Sequence, residues 1–167
     1  RLGRLTLAAQ PAPPTEDEAT AGLLEAVRTR GLDLLPWSDA ARAWLARARA
    51  VGAGRQDWPD LSEAGLIERL EDWLPPALAG ARAISDIRPG DLTHAVKAAL
   101  DWRQGQAVEA EAPERLTLAN GRTLAIDYAD PNGPVAEAIL QDLFGVTAHP
   151  TVAGAPVLLR LLSPARR

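Results

Sequence analysis

Asn120-Gly121 is the dipeptide that most restricts the fold of this chain. It sits between two apolar-patterned runs in RLTLANGRTLAIDY, residues 115–128. Asn and Gly tolerate positive φ at low cost, so the pair suits a two-residue type I′ turn, and the flanking runs must then fold back as an antiparallel hairpin. Beyond Asp130-Pro131-Asn132-Gly133 the apolar spacing changes from two to about 3.6. A helix from Pro134 to Phe144 is expected there, with Pro134 at its first position and Gly145 closing it. Val157 to Leu162 is apolar on both faces, as a strand covered on both sides would be, and is expected to join the hairpin in a small sheet.

Upstream, the signals are those of helix starts and stops. Thr15, with Glu18 three residues on, caps a first helix that ends at Gly31; Ser38 caps a second running to about Ala50, before Gly52 and Gly54. Ser62 caps a third, whose face is Leu66, Ile67, Leu70, Trp73 and Leu74 and which Pro75-Pro76 ends. Residues 77–88 read as one helical turn or a packed loop. Asp91 caps a fourth helix with Leu92, Ala95, Val96, Ala99 and Leu100 on one face, and residues 106–112 add a short fifth before Pro113. Arg1 to Leu7 reads as the tail of a strand, and Gln10 to Pro14 as a linker. The expected class is therefore α+β: the end of a β region and a linker over 1–14, a helical region over 15–112, and a small β-hairpin–helix–strand subdomain over 113–167.

At 167 residues the chain is large enough to bury roughly 70% of its extended surface, and its apolar runs are too short for a membrane span. The absence of cysteine excludes disulfides and thiolate chemistry and fits a reducing, cytoplasmic setting. The chain lacks methionine and opens on RLGRLTL, which reads as a piece of a longer protein.

Catalytic signatures are missing where they would be sought. His94 and His149 have no HExxH spacing, Ser38 and Ser62 are helix caps, and no GxSxG elbow occurs. Asp17-Glu18-Ala19-Thr20 superficially resembles a DEAx box, but Pro13-Pro14-Thr15-Glu16 stands where that site needs an apolar strand. The single lysine, Lys97, follows Val96, so there is no P-loop. No catalytic residue, metal ligand or cofactor site is assigned to the chain itself.

Charge is the remaining lead. Seventeen of the basic residues are arginine, and the net charge is −4. Residues 38–55 carry +3, from Arg42, Arg47, Arg49 and Arg55 against Asp39, whereas residues 60–72 carry −4. Two readings stay open: complementary charge between adjacent helices, or an arginine face toward phosphates. On the second reading Arg42, Arg47, Arg49 and Arg55 are candidate nucleic-acid contacts, joined by Arg160, Arg166 and Arg167 near the C-terminus. The five tryptophans read as packing residues, Trp37 and Trp73 most clearly, with Trp44 and Trp58 as the candidate exceptions for base stacking.

Several short strings occur together and in order: LPWS at 35–38, WPDLS at 58–62, LEDWLPP at 70–76, LDW at 100–102, IDY at 126–128, LFG at 143–145 and LLSPA at 161–165. Taken jointly they resemble the C-terminal region specific to HrpB-type bacterial DEAH-box ATP-dependent helicases, across essentially the whole chain. The resemblance implies a motor lying upstream that holds ATP and Mg, with none of its catalytic residues falling on this chain. It further implies an accessory role whose partners are the upstream helicase domains of the same polypeptide, RNA through the assembled enzyme, or a recruited protein, and no membrane.

Overall fold

The computed structural model describes residues 13–163. Seven α-helices occur among them: α1 Glu16–Arg30, α2 Asp39–Gly52, α3 Glu63–Glu68, α4 Leu70–Trp73, α5 Pro75–Leu78, α6 Pro89–Lys97 and α7 Trp102–Glu111. Six strands follow: β1 Arg115–Thr117, β2 Thr123–Asp127, β3 Val135–Ile139, β4 Thr151–Val152, β5 Ala155–Pro156 and β6 Leu158–Leu162. The α+β class expected from the sequence is the class observed, with helices first and a small sheet after them. The strand expected over Arg1 to Leu7 lies outside the described residues.

Local caps set the first helices. Thr15 Oγ1 accepts the Glu18 N–H at 3.1 Å, Ser38 Oγ the Ala41 N–H at 3.1 Å, and Ser62 Oγ the Gly65 N–H at 3.2 Å. Each bond satisfies one of the donors that a helix start leaves without an intrahelical partner. Asp17 and Glu18 lie in the first turn of α1, facing the positive end of the helix dipole.

Four helix boundaries differ from expectation, each for a local reason. The third helix is interrupted at Arg69 (φ −107°, ψ 27°), where the Leu66 carbonyl accepts the Trp73 indole N–H at 2.9 Å. Pro75-Pro76 does not end the helical path; it begins α5, because a proline at the first helical position forfeits no hydrogen bond. The same logic moves the start of α6: Pro89 is its first residue, so the N-cap is Arg88, held extended by the following proline, and Asp91 lies inside the first turn. Helix α7 starts at Trp102, four residues before the expected point, because Asp101 and Gln104 cap each other reciprocally at 2.8 and 3.0 Å.

These helices enclose one core, built from Val27, Leu66, Leu70, Trp73, Leu74, Leu78, Leu92 and Val96 among others. The Trp37 and Trp73 rings meet inside it with centroids 6.4 Å apart. A second, smaller core lies under the sheet, where Leu118, Leu124, Ala136, Ala138, Val152 and Val157 are buried together.

The sheet has the order β1-β2-β3-β6, antiparallel except that β3 and β6 run parallel from Val135↔Leu158 to Ile139↔Leu162. Strands β4 and β5 form a separate two-stranded hairpin. The 115–128 hairpin exists, but its turn is not type I′. The Gly121 N–H bonds the Leu118 carbonyl at 2.9 Å and the Leu118 N–H bonds the Arg122 carbonyl at 2.7 Å, which closes a three-residue loop, Ala119-Asn120-Gly121. Only Gly121 takes positive φ there (85°), the mark of a turn followed by a left-handed glycine.

The largest departure is residues 134–144. Val135–Ile139 is a strand and Leu140–Leu143 a single 3-10 turn, not a helix. Two alanines fit either period, and pairing decides between them. As a central strand β3 has neighbours on both sides, and Ala136 and Ala138 fall together on the buried face. The expectation for 157–162 is corrected as well: β6 is an outer strand that pairs with β3, not with the hairpin, and most of its residues are exposed.

Candidate functional site

The helical core and the sheet meet along α2, where two of the candidate arginines, Arg47 and Arg55, have acidic partners. Arg47 is only 4% exposed. Its Nε donates to the Ala112 carbonyl at 2.6 Å, and its terminal nitrogens reach Glu109 at 3.0 Å and Glu114 at 3.4 Å. It therefore joins α2 to the end of α7 and to the segment entering β1. Tyr128 OH, which donates to the Pro113 carbonyl at 2.7 Å, and the Ala153 N–H, which donates to the Glu111 carbonyl at 2.7 Å, strengthen the same seam. Burial pushes the Tyr128 phenol up to about 12, opposed by the positive charge of Arg47.

Arg55 is also occupied. It pairs with Glu111 and lies 5.5 Å from the centroid of the Trp58 ring, a cation–π geometry. Arg160 is flanked by Asp130 at 3.5 Å and Glu137 at 3.8 Å. Arg166 and Arg167 lie outside the described residues.

Arg42 and Arg49 remain, and the structure brings them together. They stand seven residues apart on one stripe of α2, with Ala46 between them and Ala50 just beyond Arg49. That stripe is one wall of a cleft of about 730 Å³. The facing wall is the loop from Tyr128 to Pro134 with Ala153 and Ala155 of the small hairpin, and Leu32, Trp37 and Leu45 also line the cleft. Arg42 makes no ion pair with another described residue, so its guanidinium is available to an incoming anion. Arg49 Nε donates to the Leu61 carbonyl at 2.7 Å. Partial burial lowers its pKa from the ordinary arginine value, while Glu63 and Asp60 act in the opposite direction. Asp60 is itself held below the usual carboxylate range, first by hydrogen bonds from Ser62.

The cleft also contains Asp33, Glu63 and Asp130, so its charges are mixed and Arg42 is its most available cation. Its lining is partly apolar, from Leu32, Trp37, Leu45 and Pro134, with the Arg42 guanidinium at one wall. It brings no nucleophile against a base. Among the described residues no group of three or more His, Cys, Asp or Glu side chains is placed to hold a metal ion. His94 is exposed on α6, and the His149 ring nitrogen bonds the Val157 carbonyl at 2.8 Å.

The tryptophans sort differently from their sequence contexts. Trp44 is buried, Trp58 is half-buried beside Arg55, and Trp102, first residue of α7, is 77% exposed. Tyr128, Asp130 and Pro134 were not singled out as cleft residues by sequence. The turn-forming DPNG run signals that the chain reverses there, but carries no sign of which helix it will face. No helix of the described residues is long and apolar enough to cross a membrane.

Comparison with known proteins places this geometry in context. The sequence model of the family described as ATP-dependent helicase C-terminal matches residues 73–167. The ATP-dependent RNA helicase HrpB of Escherichia coli (strain K12) is 34% identical over 174 residues, an alignment that takes in 100% of this chain and 21% of that protein. Two solved structures are similar. The crystal structure of E. coli DExH-box NTPase HrpB superposes with a TM-score of 0.82 at 33% identity, covering 94% of this chain and 20% of that one. The crystal structure of Escherichia coli DEAH/RHA helicase HrpB does so with a TM-score of 0.79 at 33% identity, covering 96% and 21%. The chain thus spans about a fifth of the length of the curated relative it matches.

Proposed function

Because the chain belongs to the ATP-dependent helicase C-terminal family, we propose that it is a noncatalytic accessory region of an ATP-dependent RNA helicase. It supports the motor or extends the motor's nucleic-acid path. The observation that carries this reading is the match along the whole chain to an RNA helicase, with the helicase C-terminal family matched over residues 73–167, in a sequence that holds no P-loop or DEAH box of its own. ATP and Mg belong, on this reading, to the motor in the rest of the polypeptide, and the assembled enzyme works in the cytoplasm.

Within the region, Arg42 and Arg49 are the residues assigned to nucleic acid. Arginine binds phosphate oxygens through its planar fork, and two guanidiniums on one helix stripe can follow one strand. Arg47, Arg55 and Arg160 are assigned to holding the fold, because their donors already have partners. The second reading is a protein-interaction module that recruits a partner without touching RNA. The mixed charge of the cleft and the exposed leucines of β6 favour it.

Removing residues 15–167 from the full-length helicase separates the two. The accessory reading expects a large loss of RNA-stimulated ATP hydrolysis. Unchanged turnover with loss of a bound protein would replace it with the second reading.

A further inference from the structure

Strand β6 is the outer strand of the sheet on the side of β3. In a parallel ladder alternate residues bond the neighbour, and the Leu158 N–H bonds the Pro134 carbonyl at 2.8 Å. Leu158, Arg160 and Leu162 therefore engage β3 through their main chains, whereas the N–H and C=O groups of Leu159 and Leu161 point away from it. No strand among the described residues takes them up.

Proteins ordinarily blunt such an edge with proline, charges, a bulge or very short length. This one is five residues of Leu-Leu-Arg-Leu-Leu, and its single charge is already held by Asp130 and Glu137. Leu158 is 49% exposed and Leu161 59%, although they lie on opposite faces of the strand, so apolar surface wraps around the edge. Leu140, also exposed, directly follows Ile139 at the end where Ile139 pairs with Leu162.

We propose that this edge is completed by an extended strand from the rest of the helicase polypeptide. That strand bonds the main chains of Leu159 and Leu161 and covers the side chains of Leu158 and Leu161. The inference rests on the accessory-region reading. The occupant is chosen because about four-fifths of the curated relative lies beyond the matched span. A segment tethered to this region meets the edge at high effective concentration, and so adds to it more readily than a free partner does.

Hydrogen–deuterium exchange with residue-level fragmentation on the full-length helicase tests it. The expected result is slow exchange at Leu159 and Leu161, by about a hundredfold or more relative to open peptide, matching Arg160 and independent of protein concentration. Fast exchange at Leu159 and Leu161 beside a slow Arg160 would overturn the proposal. So would protection that appears only as the protein self-associates, since the occupant would then be a second copy. Replacing the exposed leucine that faces the added strand from the other side, Leu158→Asp, is expected to speed exchange at the Leu159 and Leu161 amides at least tenfold while Arg160 stays slow; unchanged exchange at those two amides would count against it. No readout here uses RNA or nucleotide, so an open edge would sink this inference and leave the accessory role to the ATPase comparison.

Discussion

Replacing Arg47 with methionine should be the most destabilising change among the candidate arginines, and its magnitude can be worked from its contacts. Methionine retains much of the apolar stem, so the cavity left is small. The Nε donor to the Ala112 carbonyl disappears, and Ala112 is fully buried, so that acceptor is left without its partner at about 1–3 kcal/mol. The bonds to Glu109 and Glu114 matter less. Both carboxylates are exposed and can rehydrate, which limits each pair to about 0–1 kcal/mol. The total is about 1–5 kcal/mol, read as a lower urea midpoint, whereas Arg42→Met on the cleft wall should stay within about 0.5 kcal/mol of the parent chain. If Arg47→Met unfolds within 0.5 kcal/mol of the parent, Arg47 is not the tie between α2 and α7 described above.

Gly65→Ala should lower stability by about 1–3 kcal/mol in the same assay, because a Cβ there would overlap the Asp60 carbonyl, a backbone atom that cannot rotate aside. Gly121→Val should lower it by a similar 1–3 kcal/mol, since a β-branched residue would be forced to φ near +85° although the space around it is open; an unchanged melting temperature would contradict the left-handed assignment. Tyr128 is the only tyrosine, so its phenolate absorbance reports one site: a midpoint of about 12 is expected in the folded chain and about 10 in denaturant. The folded pKa is raised above the unfolded one, so this contribution to stability is intact below pH 10 and is lost as pH rises from about 10 through 12.

What could be read from sequence was local, and what could not was long-range. The caps Thr15, Ser38 and Ser62 act within three residues, so their signals survive without any knowledge of the fold. Residues 135–139 carry two alanines that suit a helix as well as a strand, and the choice is made by β2 and by β6, which lies more than twenty residues away in sequence. Arg42, Arg47 and Arg49 look alike on a helix, yet they part according to what faces each: Ala112 and Glu109 for Arg47, the Leu61 carbonyl for Arg49, the cleft for Arg42. Gly52 reads as a helix terminator, and it does end α2, but it also leaves room for the Trp58 ring, where any Cβ would collide. Trp102 has no local feature that marks it as the exposed tryptophan.

The nucleic-acid form of the proposed accessory role, with this region extending the motor's path and Arg42 and Arg49 facing the strand, makes a direct demand on RNA binding. Its most direct measurement is fluorescence anisotropy of a labelled single-stranded RNA against the full-length helicase and its Arg42→Glu/Arg49→Glu variant, at low and high salt. The account predicts weaker binding by about tenfold or more at low salt, with a shallower salt dependence by roughly the two lost phosphate contacts, and unchanged ATP hydrolysis in the absence of RNA. Equal affinities and equal salt slopes for the two proteins would contradict it.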